Sequence, residues 1–282
     1  MRAYERLLHY VTVHTTSDPH SGDHPSAARE LDLAYLLVEE LKGLGVENAY
    51  ADEHGYVYAS LPATPGCEDK PALGLIAHMD TAPDASGKGV RPVLHEHYNG
   101  KDVTLPGTGA VMKVSTFPFL ASMKGETLIT TDGTTLLGAD DKAGVAEILT
   151  AVETLLTENL PHGKLCIGFT PDEEIGEGAL LFDIPGFGAD FAYTVDGGDV
   201  GGIEYENFNA ADAVVSAQLA QKIHAVVFAR VRQDRNALCG VNHIHHGIDV
   251  GIIHLLVGDA RFGIIELLKN LAEHLTRVAG VH

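Results

Sequence analysis

The chain has 282 residues, is 45% hydrophobic and carries 31 glycines, enough for a large core and one or two domains with many turns. A formal net charge of −20 argues against nucleic acid or an anionic membrane as a partner. There is no apolar run long enough to predict a membrane span. The apolar stretch at 7–13 is interrupted by a histidine and lacks the cleavage site of a secretory signal. Cys67, Cys166 and Cys239 are scattered with no CxxC pairing, which points to a reducing cytoplasm.

Pro25-Ser26 opens a predicted helix to about residue 42, with Leu31, Ala34, Leu37, Val38 and Leu41 on one face and Gly43 and Gly45 as its stop. A turn at His54-Gly55 precedes an alternating strand at 56–61. The apolar run ALGLIA at 72–77 predicts a buried strand, and it ends in His78-Met79-Asp80. A histidine and an aspartate two apart share one side of the pleat. That suits a metal-binding imidazole oriented by a carboxylate behind it; the alternative is a surface histidine beside an unrelated turn. Residues 90–95 and 100–105 predict a hairpin, and PGTGAV at 106–111 lacks the spacing and the lysine of a phosphate loop.

TTLLGADDKAG at 134–144 reads as the end of a buried strand, a turn carrying Asp140 and Asp141, and the start of a helix over 142–156. Adjacent carboxylates are costly to hold unless a cation neutralises them, and strand ends are where open α/β sheets bind ligands. The alternative is that Asp141 caps the helix. KLCIGFT at 164–170 predicts another buried strand, opening into Asp172, Glu173 and Glu174. A further strand at 191–195 ends at Asp196. Four strand ends thus deliver acids or a histidine, where a random acidic surface would scatter them.

A pair of divalent metals needs a bridging carboxylate and outer His, Asp or Glu ligands. Asp140 would bridge, His78 and Asp196 would complete one zinc, and Glu174 would bind the other. Glu173 is then free to act as general base on the attacking water.

HMD at 78–80, TTDGTTLLGADDKAG at 130–144, TPDEEIGEG at 170–178, YTVDGG at 193–198 and GGIEYENFNAADA at 201–213 resemble the cytoplasmic tripeptide aminopeptidase branch of the M20 family of dizinc peptidases. The resemblance runs over about residues 1–215. It implies zinc ligands at His78, Asp140, Glu174 and Asp196, a catalytic acid behind the histidine at Asp80, and a proton acceptor at Glu173. The implied reaction releases the N-terminal residue from a tripeptide; a sibling carboxypeptidase, dipeptidase or deacylase activity is the alternative within the family. The expected fold is α/β, a mixed and mostly parallel sheet with helices on both faces and a partial α/β lid.

The expected domains are a catalytic part at 1–213 and a partial lid at 214–282, through which a homodimer could form. In the family a late histidine after the lid completes the second zinc site. No motif here matches it, so the second site reads as incomplete, and an inactive homologue that binds one metal or acts through its lid stays open. His224 falls near the family's lid histidine and is a candidate oxyanion contact. His243 and His245 in NHIHHG would share a strand face and could replace the absent ligand, although solvent-facing histidines are the simpler reading. ELLKNLAEHLTRVAG at 266–280 predicts an amphipathic helix stopped by Gly280.

Overall fold

In the computed structural model, described for residues 1–197 and 202–203 and for the backbone of strands at 209–219, 223–233 and 248–249, the chain forms two units, Met1–Val200 and Gly201–His282. The first opens with helices α1 (Ala3–Tyr10) and α2 (Glu30–Gly43), then strands β1 (Tyr50–Ala51), β2 (Val57–Leu61) and β3 (Leu73–His78). A middle stretch holds β4 (Pro92–His95), β5 (Val103–Thr104), β6 (Val111–Met112), the single turn α3 (Phe119–Ser122) and β7 (Leu128–Thr131). Helix α4 (Ala139–Thr157), β8 (Leu165–Thr170), a 3-10 turn at Glu173–Ile175, α5 (Ile184–Phe187) and β9 (Phe191–Thr194) follow.

The main sheet has the order β1-β2-β8-β3-β9. Strands β8, β3 and β9 run parallel, and β2 is antiparallel to β8. Central parallel strands are covered on both faces, so they read as unbroken apolar runs; all six residues of β8 are buried. Val57, Ala59, Leu61, Ala77, Leu165, Ile167 and Phe169 share a core with Tyr10 of α1, Leu33, Leu37 and Leu41 of α2, and Val145, Leu149 and Val152 of α4. Buried Arg6 ties these helices together, its guanidinium 2.7 Å from Glu40 and 2.8 Å from Glu153. On the opposite face Tyr58 and Cys166 pack against Phe182 and Phe187. Gly74 lets Phe187 approach the strand: an added Cβ would lie 2.6 Å from the ring. The mixed α/β sheet that the sequence implies is therefore present.

Several local expectations differ. Helix α2 begins at Glu30 rather than near Pro25: the stretch before it closes as turns, with the Glu30, Leu31 and Asp32 amides donating three residues back, and the Ser26 and Ala27 amides bond the carboxylates of Asp172 and Glu30. Residues 90–95 and 100–105 do not form a hairpin with each other. Instead β4 pairs with β7 and β5 with β6, since Tyr98, Val103, Leu120 and Leu128 build a small core of their own. The PGTG segment supplies the β5–β6 turn, with the Leu105 N–H donating to the Ala110 carbonyl at 2.8 Å. The strand expected just before Asp140 ends earlier, at Thr131, and belongs to the β4–β7 ribbon. Asp132 then turns the chain by accepting the Thr134 N–H and hydroxyl. Three main-sheet strand ends, not four, carry the expected residues, and Asp140 arrives from a loop.

The second unit contains β10 (Asn209–Leu219), β11 (Ile223–Gln233) and β12 (Ile248–Asp249), all antiparallel, with His224 opposite Gln218. His243, His245 and the predicted helix at 266–280 lie outside the described residues. No helix among the described residues is long and apolar enough to cross a membrane.

Candidate metal centre

Strands β3, β8 and β9 end side by side, with His78 opposite Thr170 and Ile76 opposite Thr194. The residues that follow each strand therefore meet at one carboxyl edge, where parallel sheets present their ligand sites. His78 Nε2 lies 3.6 Å from Glu173 Oε2 and 3.8 Å from Asp196 Oδ2. Asp140, coming from the start of α4, is nearer still, 2.9 Å from the same nitrogen. Ligand-type atoms of His78, Glu173 and Asp196 gather within 4.8 Å of one another, as do those of His78, Asp140 and Glu174.

Behind the imidazole, Asp80 is fully buried. His78 Nδ1 is 3.1 Å from the Asp80 carbonyl and 3.3 Å from its Oδ1. The same carboxylate accepts the N–H groups of Glu173 and Glu174 at 3.0 and 3.1 Å. One buried acid thus orients the imidazole and fixes the backbone of both glutamates.

The Asp pair divides its work. Gly138 at φ 76° caps α4, Asp140 and Asp141 have non-helical backbone, and the bond between them is cis. Helical geometry starts at Lys142, and Asp141 Oδ1 accepts the Gly144 N–H at 3.1 Å, as an N-cap side chain does. Its Oδ2 accepts the His78 N–H at 3.3 Å. The capping expectation for Asp141 and the ligand-type position of Asp140 thus coexist.

The charges are unbalanced. Burial alone would lower the His78 pKa, but hydrogen bonding to Asp80 and the charges of Asp80, Asp141 and Glu173 carry it up to about 10. Burial, reinforced by neighbouring carboxylates, raises Glu173, Glu174 and Asp196, and brings Asp141 to about 8. A divalent cation relieves this kind of repulsion. One imidazole with several carboxylates is a donor set that such ions accept, so these residues fit a metal.

Sequence reasoning missed a second layer. Glu30 and Asp172 are both 1% exposed. Asp172, at φ 59°, accepts the Ser26 N–H with both oxygens, and its own N–H donates to Glu30 Oε2 at 3.1 Å. An acid at a helix start ordinarily reads as surface dipole compensation, and only the tertiary fold buries it. Burial, then the charges of Asp172 and Asp80, push Glu30 up to about 9. A carboxyl raised in the folded state contributes full stability below its ordinary value near 4.5 and loses it as pH rises through about 9. In protein stripped of metal, the melting temperature should therefore fall from pH 5 to 9 more steeply than in Glu30→Gln. The difference is of the order of a few kcal/mol across that window, while Asp141 titrates in both proteins. Parallel melting curves against pH would refute it.

No protein-family model matches the chain. It is 54% identical over 224 residues to peptidase T of Clostridium perfringens, covering 79% of this chain and 54% of that protein. It is 55% identical over 216 residues to peptidase T of Desulfitobacterium hafniense, covering 76% and 52%. A solved structure of aminopeptidase PepT from Bacillus cereus overlaps 70% of this chain and 43% of its own, at 26% identity and a TM-score of 0.49. The chain spans about half the length of the curated relatives it matches. Over that matched part, which takes in every residue of the cluster, the chain is similar to the peptidase T family.

Proposed function

We propose that the site is a zinc metallopeptidase centre that releases the N-terminal residue from tripeptides. What carries the reading is the meeting of His78, Asp140, Glu173, Glu174 and Asp196 at one sheet edge in a chain similar to this family. His78, Asp140, Glu174 and Asp196 would hold zinc, which when bound polarises the peptide carbonyl and makes water a better nucleophile. Asp80 keeps the imidazole and the Glu173–Glu174 turn in place. Glu173, whose side chain is half exposed, takes the proton from the attacking water and hands it to the departing amine.

In the same reading residues 1–213 form the catalytic part and 214–282 a partial lid able to pair two copies. The setting is the cytoplasm, supported by the unpaired cysteine pattern. The net charge of −20 supports peptides rather than nucleic acid or membranes as partners.

The test uses purified chain dialysed at neutral pH. It should carry zinc, cleave an unblocked tripeptide, lose cleavage to a chelator and regain it with zinc. A zinc-loaded sample with no turnover would overturn the reading. Preference for an N-acylated tripeptide would move it to a carboxypeptidase or deacylase, and preference for dipeptides to a dipeptidase.

One observation favours a second reading, a metal-binding chain without turnover. Among the described residues, both ligand groups draw on the same imidazole. Its Nδ1 is committed to Asp80, so Nε2 can serve one metal only. One zinc per chain with no hydrolysis would support this second reading; two zincs with turnover would exclude it.

A further inference from the structure

Three successive backbone amides, those of Asp172, Glu173 and Glu174, each end on a buried carboxyl group. Asp80 takes the second and third, and Glu30 of α2 takes the first. Glu30 reaches this point from far along the chain, and its other oxygen accepts the Ala27 N–H at 3.1 Å and lies 3.2 Å from the Ser26 hydroxyl. Ser26 returns the connection by donating its N–H to Asp172. The loop at the start of α2 and the turn bearing the two glutamates are therefore stitched in both directions. Asp172 holds a left-handed backbone, φ 59°, at the head of that turn, a conformation a non-glycine residue keeps only when its surroundings enforce it.

We propose that Glu30 is a positioning residue for the metallopeptidase site, its buried carboxyl fixing the Asp172 amide and so the direction in which Glu173 and Glu174 leave the turn. The proposal rests on the metallopeptidase reading above. The hydrogen bonds of the Glu30 carboxyl run to Ser26, Ala27 and Asp172, none of them a metal-ligand candidate, so it acts through Asp172. Its high folded-state pKa, about 9, means that the acid form occupies this place at neutral pH, sparing the pocket a third buried negative charge beside Asp172 and Asp80. A neutral isostere can therefore stand in. In Glu30→Gln the amide oxygen still accepts the Asp172 N–H and the NH2 faces the Ser26 hydroxyl, at the loss of the Ala27 contact. In Glu30→Ala the Asp172 N–H is left buried without an acceptor.

The experiment measures zinc affinity by competition with a chromogenic chelator, and tripeptide turnover, for the wild type, Glu30→Ala, Glu30→Gln and Leu33→Ala. Leu33 is a fully buried core residue of the same helix, so its variant reports what general loosening of α2 does. Glu30→Ala should weaken zinc binding at least tenfold and lower kcat more than it raises KM. Glu30→Gln should stay within about threefold of wild type in both, roughly the loss of one neutral hydrogen bond. Leu33→Ala should lower the unfolding midpoint with little change in zinc affinity. Equal zinc affinity and kcat in Glu30→Ala and wild type would overturn the proposal, as would an equal loss in Leu33→Ala. A wild type that binds no zinc would instead overturn the metallopeptidase reading itself.

Discussion

Replacing Glu173 with glutamine is expected to lower tripeptide hydrolysis by roughly 10²–10⁴-fold, the usual contribution of a general base, while zinc content stays unchanged. The isosteric amide keeps the volume and the backbone bond to Asp80 but can no longer take up a proton. The prediction separates two placements of this side chain. Glu173 Oε2 lies about as near His78 Nε2 as Asp196 does, 3.6 against 3.8 Å, so geometry alone would also allow it to be a ligand. Atomic absorption on the purified variant decides: unchanged zinc with lost turnover identifies a base, whereas lost zinc identifies a ligand. Full activity would remove Glu173 from the mechanism.

Gly144→Ala should be as damaging by a different route. The helix α4 passes so close to the end of β9 that an added Cβ would fall on the Val195 carbonyl oxygen and 2.5 Å from Asp141 Oδ1. Val195 is itself anchored, its N–H donating to the Ile76 carbonyl at 2.7 Å. One methyl group must therefore push either the β9 end, which carries Asp196, or Asp141, which holds the His78 backbone. Backbone-level overpacking of this kind is expected to cost about 3–5 kcal/mol and to weaken zinc binding more than tenfold. Urea unfolding and a zinc titration on one preparation check both. An unchanged unfolding midpoint would show that the helix and strand can separate freely.

Strands β3, β8 and β9 were legible as short apolar runs ending in punctuation, and β2 as an alternating run after a turn, while the two-residue β1 was not. The candidate ligands were legible because acids and a histidine recur just past those ends. Three of the four strand ends are there, after β3, β8 and β9. The fourth was misread because TTDGTTLL has the composition of a strand, yet Asp132 captures Thr134 and ends it early. Pairing in the middle stretch was not legible either: 90–95 reads as one arm of a hairpin with 100–105, whereas β4 pairs with β7 beside a small separate core. Glu30 and Asp172 escaped for a related reason. Local sequence gives each an ordinary surface role, and only the meeting of two loops distant in the chain buries them against one another.

The position of Asp80 has a consequence for genetics at this site. One carboxylate answers to an imidazole and to two backbone amides at once, so an allele there changes three things together and its phenotype cannot be assigned to any one of them. Epistasis should be strong wherever residues share such a hub: once Asp80 is lost, further lesions at His78 or Glu173 have little left to remove. A suppressor search begun from an Asp80 allele would have to restore all three bonds in a single step.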